Sequence, residues 1–209
     1  MLKALKREYA DNPEYQARLD KEFDVRYNFC HPNIVMVNDF EEIPGLGKAI
    51  ITDDIYGYSL RRLIDEKRLT PKIVQRLQTQ LLDAMEYLQE NHLKHYPITP
   101  ERIFFTEYNE NLKLTDIGFD QGDEMTVDDA RADIESYGKI INEVLDNLPA
   151  SLPKLRKIAR KCEDSNHPYR TVADVQLAME KHNSSQLYVF ICVFIILMAT
   201  LLVWLTTNG

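Results

Sequence analysis

The sequence predicts an α+β domain followed by one C-terminal apolar segment long enough to cross a membrane, and three observations carry that prediction. Ile73, Leu77, Leu81, Met85 and Leu88 recur at helical spacing between Thr70 and about Asn91. Two short runs, Ile103-Phe104-Phe105 and Leu112-Lys113-Leu114, flank Tyr108-Asn109-Glu110-Asn111, which has the composition of a hairpin turn. Leu187 to Leu205 holds no charged residue.

Each element has its own signal. Asn12-Pro13 supplies a cap and a first-turn proline for a helix near the N-terminus, and Thr70-Pro71 does the same for the long periodic helix. At a rise of 1.5 Å, the 19 residues from Leu187 to Leu205 reach roughly 28 Å, close to the thickness of a bilayer's hydrocarbon core. Tyr188 and Trp204 stand near its two ends, where amphipathic rings favour the interfaces. Lys181 and His182 precede it and no basic residue follows, which predicts a tail anchor with the domain on the cytoplasmic side.

Composition bounds the function. About 180 residues outside the apolar run make one domain with a sizeable core. A net charge of −8 lacks the electrostatic footprint of a nucleic-acid binder and predicts no general attraction of the domain to an anionic leaflet. Cys30, Cys162 and Cys192 have neither paired nor metal-type spacing and fit a reducing compartment. No repeat or low-complexity stretch occurs, and Met1-Leu2-Lys3-Ala4-Leu5-Lys6 leads at once into charged residues, unlike a signal peptide.

The segment His95-Tyr96-Pro97-Ile98-Thr99-Pro100-Glu101-Arg102 resembles the catalytic loop of protein kinases, H-R-D-L-x-x-x-N. Pro97 stands at the position of the Asp that accepts the substrate's hydroxyl proton, and Arg102 at that of the metal-binding Asn. After the hairpin, Asp116-Ile117-Gly118 is similar to D-F-G, whose Asp binds magnesium. His31-Pro32-Asn33-Ile34-Val35 resembles the turn after the αC helix, Glu22 falls at that helix's glutamate, and Lys3 matches the strand lysine that pairs with it. Gly47–Thr52 reads as the strand leading to the hinge, with Thr52 as gatekeeper and Asp53-Asp54-Ile55 as hinge, and Tyr56–Leu60 as the turn beyond. Asp133–Gly138 resembles the αF segment, where the Asp supports the catalytic loop, and Arg170 a late arginine of the fold. In the family, His95 would pack beneath Asp116.

The resemblance covers residues 1–181 and implies a truncated protein-kinase-like fold. Residues 1–55 form a partial N-lobe with strands at Ile34–Phe40 and Gly47–Thr52, and residues 56–181 a mainly helical C-lobe. Residues 182–186 are a linker, 187–205 the membrane helix and 206–209 a tail. Departures from the family are as informative as the matches. No Gly-rich strand pair precedes Lys3, Phe119–Ala132 is too short for an activation segment, no A-P-E occurs, and the αG region is abbreviated.

The resemblance therefore implies a membrane-anchored pseudokinase with no catalytic residue of its own, serving as an interaction module for a kinase or receptor. Its candidate nucleotide site is Lys3, Glu22, Thr52, Asp53, Ile55 and Asp116, with Asp116 as the magnesium ligand. ATP and magnesium fit that site without turnover being expected. Two alternatives are a residual ATP-dependent protein kinase with an atypical base, and a kinase remnant that needs a partner for its absent strands. Lys3–Glu22 also reads as a solvated ion pair, Asp116 as an ordinary turn residue, and Arg102 either as a partner of Asp116 or as a solvent-facing cation.

Overall fold

The computed structural model describes residues 1–118, 124–149, 151–166 and 169–180. Short extended runs near the N-terminus build a small antiparallel sheet, in which β1 (Leu2–Ala4) and β2 (Val37–Ile43) both pair with β3 (Gly47–Thr52). Lys3 lies opposite Ile50 in this register. One helix, α1 (Pro13–Tyr27), packs on the sheet. Asn12 caps it by accepting the Glu14 amide, and Pro13 occupies the first turn, where its absent N–H costs nothing.

The second strand begins at Val37 rather than at Ile34 as the sequence predicts, because residues 33–35 are used to join the lobes. Leu114 N–H donates to Asn33 O at 2.7 Å and Val35 N–H to Leu114 O at 3.0 Å, so Ile34 bridges to Leu114 in parallel. Backbone committed to that bridge is not free for the β2–β3 ladder.

The larger lobe opens with β4 (Gly57–Ser59), which pairs with β5 (Ile103–Thr106), itself paired with β6 (Leu112–Leu114). Ser59 caps α2 (Leu60–Asp65). The predicted long helix is present but not uniform. After α3 (Pro71–Arg76), residues Leu77–Leu81 widen into a π turn before α4 (Leu82–Glu90). Leu77 and Leu81 of that wider turn and Leu82 after it are all buried in the core.

Helix α5 (Val127–Asp146) starts at a capping box of Thr126 and Asp129 and crosses α6 (Pro153–Glu163) closely at Gly138. A Cβ there would meet the Ala159 carbonyl and the Cys162 side chain. A last described helix, α7, covers residues 172–180. One core joins α2 to α7 with β5 and β6, whereas the small lobe owns a separate cluster of Leu19, Val37 and Ile50. Cys162 lies in the large core, where burial pushes its thiol pKa up to about 12, as suits a small packed hydrophobe.

Among the described residues, no helix is long and apolar enough to cross a membrane. The predicted span Leu187–Leu205, with its linker, its tail and the flanking Lys181 and His182, lies outside them.

Candidate functional site

Three of the residues singled out in the sequence meet where the small lobe faces the large one. The Lys3 Nζ lies 2.9 Å from Glu22 Oε2 and 2.7 Å from Asp116 Oδ1. β1 delivers the lysine, the buried side of α1 the glutamate, and the turn after β6 the aspartate. Glu22 is buried (4% exposed side chain) and Asp116 is open (63%), so the lysine spans from interior to solvent. Burial by itself would lower the Lys3 pKa; the Glu22 charge, reinforced by hydrogen bonds to both carboxylates, outweighs it and holds the ammonium charged above the usual lysine range.

Glu22 has a second partner that the sequence reading missed. Arg26, one turn later on α1, is buried with it, places Nη1 3.0 Å from Oε1, and donates through Nη2 to Val35 O at 3.2 Å. The result is a chain Arg26–Glu22–Lys3–Asp116 that ties α1 to β1, to the turn after α1 and to the far lobe. The i, i+4 spacing of an acid and a base was the available signal, and it is a weak one because such pairs are common on exposed helix faces.

The loop from His95 to Arg102 is organised without these groups. Arg102 does not pair with Asp116, whose carboxylate is taken by Lys3. Instead its Nη1 donates to Pro97 O at 3.1 Å and its guanidinium lies 5.1 Å from the centroid of the Tyr96 ring. Local geometry explains the difference: five residues after Pro97 the arginine folds back on its own loop, and an aromatic face is a good seat for a planar cation. The far side of that loop is closed as well. Gly118 has φ +57°, and a Cβ there would run into the Tyr96 ring. Asp116 is also left-handed, at φ 44°, a conformation aspartate tolerates better than most residues.

The His95 side chain is buried, but its partner is Asp133 of α5 rather than Asp116. Nδ1 donates to Tyr96 O at 2.7 Å, and Nε2 faces Asp133 Oδ2 at 3.1 Å, an ion-pair distance without the alignment of a good hydrogen bond. Burial lowers the His95 pKa, yet the Asp133 carboxylate and the Tyr96 carbonyl outweigh it, and the net shift is upward. Tyr96 N–H donates to Ile117 O at 2.6 Å, which fixes the loop against the Asp116–Gly118 turn.

A clamp invisible to the motif reading holds the loop from the other side. Arg61 of α2 reaches Glu101 at 2.9 Å and Glu143 of α5 at 2.6 Å. Its hydrogen bond holds the Glu101 pKa down at about 2.

The hinge residues stand apart from the Lys3 cluster. Thr52 ends β3, buried, with its hydroxyl donating to Asp53 O at 3.3 Å. The Asp53 amide donates to Met36 O and its carboxylate accepts from Asn38. Ile55 lines a cavity of about 300 Å³ with Val35, Asp53, Asp54, Tyr56, Thr106 and Lys113. Among the described residues, no group of three or more His, Cys, Asp or Glu side chains is placed to hold a metal ion. A site here would rest on Asp116, whose second carboxylate oxygen is outside the Lys3 contact.

The family model for the protein kinase domain matches residues 1–122, and the chain belongs to that family. Curated relatives agree. The chain is similar to human serine/threonine-protein kinase ULK3, 28% identical over 151 residues that cover 61% of this chain and 32% of that protein. It is also similar to serine/threonine-protein kinase PrkC of Bacillus subtilis, 28% identical over 118 residues, covering 56% of this chain and 18% of that one. PknD of Mycobacterium tuberculosis is 31% identical over 106 residues, half of this chain and 16% of that kinase. The match thus spans about a third or less of the length of these relatives.

Proposed function

We propose that this chain is a catalytically impaired kinase-like domain that keeps a nucleotide cradle, works by binding a protein partner such as a kinase or receptor, and is held at a membrane by residues 187–205. The observation that carries the reading is a division within one site. Lys3, Glu22 and Asp116 are assembled at 2.7–2.9 Å, while the base position holds Pro97 and the second metal position holds Arg102.

The residues fit ATP and magnesium in part. Bound MgATP would supply a transferable phosphoryl group. Lys3, a fixed cation oriented by Glu22, suits phosphate oxygens, and Asp116 offers one carboxylate to one metal ion. Arg102 cannot ligate a cation and would repel a second one. The Pro97 side chain has no proton acceptor, and its carbonyl is engaged by Arg102, so a substrate hydroxyl would find no base there. Phosphoryl transfer relies on positioning and electrostatic stabilisation, and loss of both groups removes much of each.

The test uses the full chain in detergent. ATP with magnesium should raise its melting temperature, since a ligand at 100 times its Kd stabilises by about 2.7 kcal/mol, and Lys3→Met should abolish the rise. Labelled ATP should give no phosphate transfer above background. Transfer that disappears in Asp116→Ala would favour the second reading, an active kinase with an atypical base, which the intact Lys3–Glu22–Asp116 cluster keeps open. The membrane part is tested separately: the full chain should resist extraction by high salt and alkaline carbonate, and Lys181 should remain accessible to protease from the cytoplasmic side.

A further inference from the structure

The acidic character of this chain is not uniform. From Asn147 to Cys162 there is no acidic residue, yet five basic ones, Lys154, Arg156, Lys157, Arg160 and Lys161, fall within eight positions, all on α6. Their disposition on the helix is not random. Leu155, Ile158, Ala159 and Cys162 turn into the core, so the opposite side is the one that presents charge.

The cations of this face are in addition largely uncompensated. Arg156 is consumed by Asp146 of α5 at 2.7 Å, and Glu163, the first acid after the run, is drawn to Asn142 of the same helix. Lys154, Lys157 and Arg160 are exposed and have no carboxylate within ion-pair distance among the described residues. Lys161 Nζ sits over the Tyr169 ring, 4.5 Å from its centroid, and has no carboxylate within ion-pair distance among the described residues. Leu152, an apolar residue 38% exposed, stands just ahead of the stripe.

A solvated basic stripe would ordinarily mean little. Here the position along the chain gives it a partner. Tyr169, under Lys161, leads into α7, whose last described residue is Glu180, and the apolar run begins seven residues later at Leu187. Seven extended residues span at most about 25 Å. If residues 187–205 are inserted, the lobe carrying α6 is confined beside a lipid surface.

We propose that the exposed basic face of α6 is a docking surface for anionic lipid headgroups, which orients the kinase-like domain on the membrane that its C-terminal segment enters. The proposal rests on the anchor reading above and refines it: the net negative charge still opposes general adsorption, so contact is made by one face alone. Phosphatidylserine-rich leaflets attract such clusters within a Debye length and release them as salt rises.

The experiment places the full chain in nanodiscs of phosphatidylcholine, alone or with about a third phosphatidylserine. It follows the rate at which an amine-reactive reagent modifies Lys154 and Lys157, with exposed Lys67, after α2, as internal reference. Phosphatidylserine should slow both lysines several-fold relative to Lys67, and high salt should reverse the effect. A charge-removing variant, Lys157→Ala with Arg160→Ala, should lose the protection at Lys154 while its circular dichroism stays unchanged. Equal rates in both lipids in an inserted chain, or equal slowing at Lys67, would overturn the lipid contact and leave the anchor standing. A chain recovered outside the discs would overturn the anchor and the contact together. Protection by polyglutamate in phosphatidylcholine discs, with no effect of phosphatidylserine, would overturn the lipid assignment in favour of an acidic protein.

Discussion

Helices α1 and α5 bury their inner sides in opposite ways. α5 sets Ile134, Tyr137, Ile140, Ile141, Val144 and Leu145 against the core with one buried acid, Asp133, near its start, whereas α1 buries two charged residues, Glu22 and Arg26, beside Leu19. The large lobe is therefore held mainly by non-directional apolar burial, and the small one by a small cluster of Leu19, Val37 and Ile50, with Leu5, Phe23 and Phe40 packed on it, plus an ion-pair chain with fixed geometry. Apolar packing tolerates little change in volume but asks nothing of orientation. A buried charge, by contrast, is costly unless its partner stays in place. The lobe that supplies Lys3 and Glu22 to the candidate site is thus the one whose integrity depends more on the alignment of named groups.

The largest expected effect separates the two lobes directly. Leu81→Ala, at a fully buried position, should cost about 4 kcal/mol in urea unfolding, and Leu19→Ala only about 2, since the small cluster lies near solvent and can collapse around the gap. Equal costs would break the contrast. Next comes Arg26→Met, which leaves Glu22 buried with Lys3 alone and should cost about 3 kcal/mol. Adding Glu22→Leu should recover part of that loss, while abolishing any response to ATP. If the double variant is no more stable than the single one, the ion pair is not what organises α1.

A smaller effect probes the seam between the lobes. Gly118→Ala should destabilise by about 1–2 kcal/mol, from its left-handed backbone and the contact with Tyr96, and Tyr96→Ala should relieve part of it in the double variant. Additivity would mean that the ring does not close this turn. Arg102→Asn should cost only about 1 kcal/mol, the worth of a partly exposed hydrogen bond and ring contact. A loss several times larger would point to a partner beyond Pro97 and Tyr96.

The last prediction concerns pH. The His95 pKa is raised in the folded chain, so the imidazolium beside Asp133 contributes stability that is fully present below about 6.5, the unfolded value. That contribution is lost as pH rises through the higher folded value. His95→Gln should remove this component, making the unfolding curves of variant and parent converge or diverge less above neutrality than below it. A parent whose stability relative to the variant rises with pH would contradict the sign.

Much of the fold was legible because it rests on local signals. The caps at Asn12 and Thr70, the leucine stripe of α3 and α4, and the hairpin of β5 and β6 follow from residue type and spacing. Motif order then placed Lys3, Glu22 and Asp116 in one family site, and the structure brings those three together. The late start of β2 was not legible, because residues 33–35 spend their backbone on Leu114, about eighty positions away in sequence. The π turn at Leu77–Leu81 was not legible either: its residues are ordinary helix formers, and nothing in their type or spacing marks the wider turn.

Around the candidate site the same division holds. The sequence by itself determined that position 97 offers no proton acceptor and position 102 no metal ligand, since those properties belong to the side chains wherever they point. It also determined the charge-free run from 187 to 205 and the basic stretch from 154 to 161. Only the tertiary structure decided that Lys3 rather than Arg102 answers Asp116, that Arg26 shares Glu22, that His95 turns to Asp133, and that the α6 cations lie outward with Arg156 alone neutralised by a carboxylate of the described residues. The reason is physical: a charged side chain has many partners within reach of its chemistry, and which one it takes depends on the distance, burial and competing charges set by packing between distant segments.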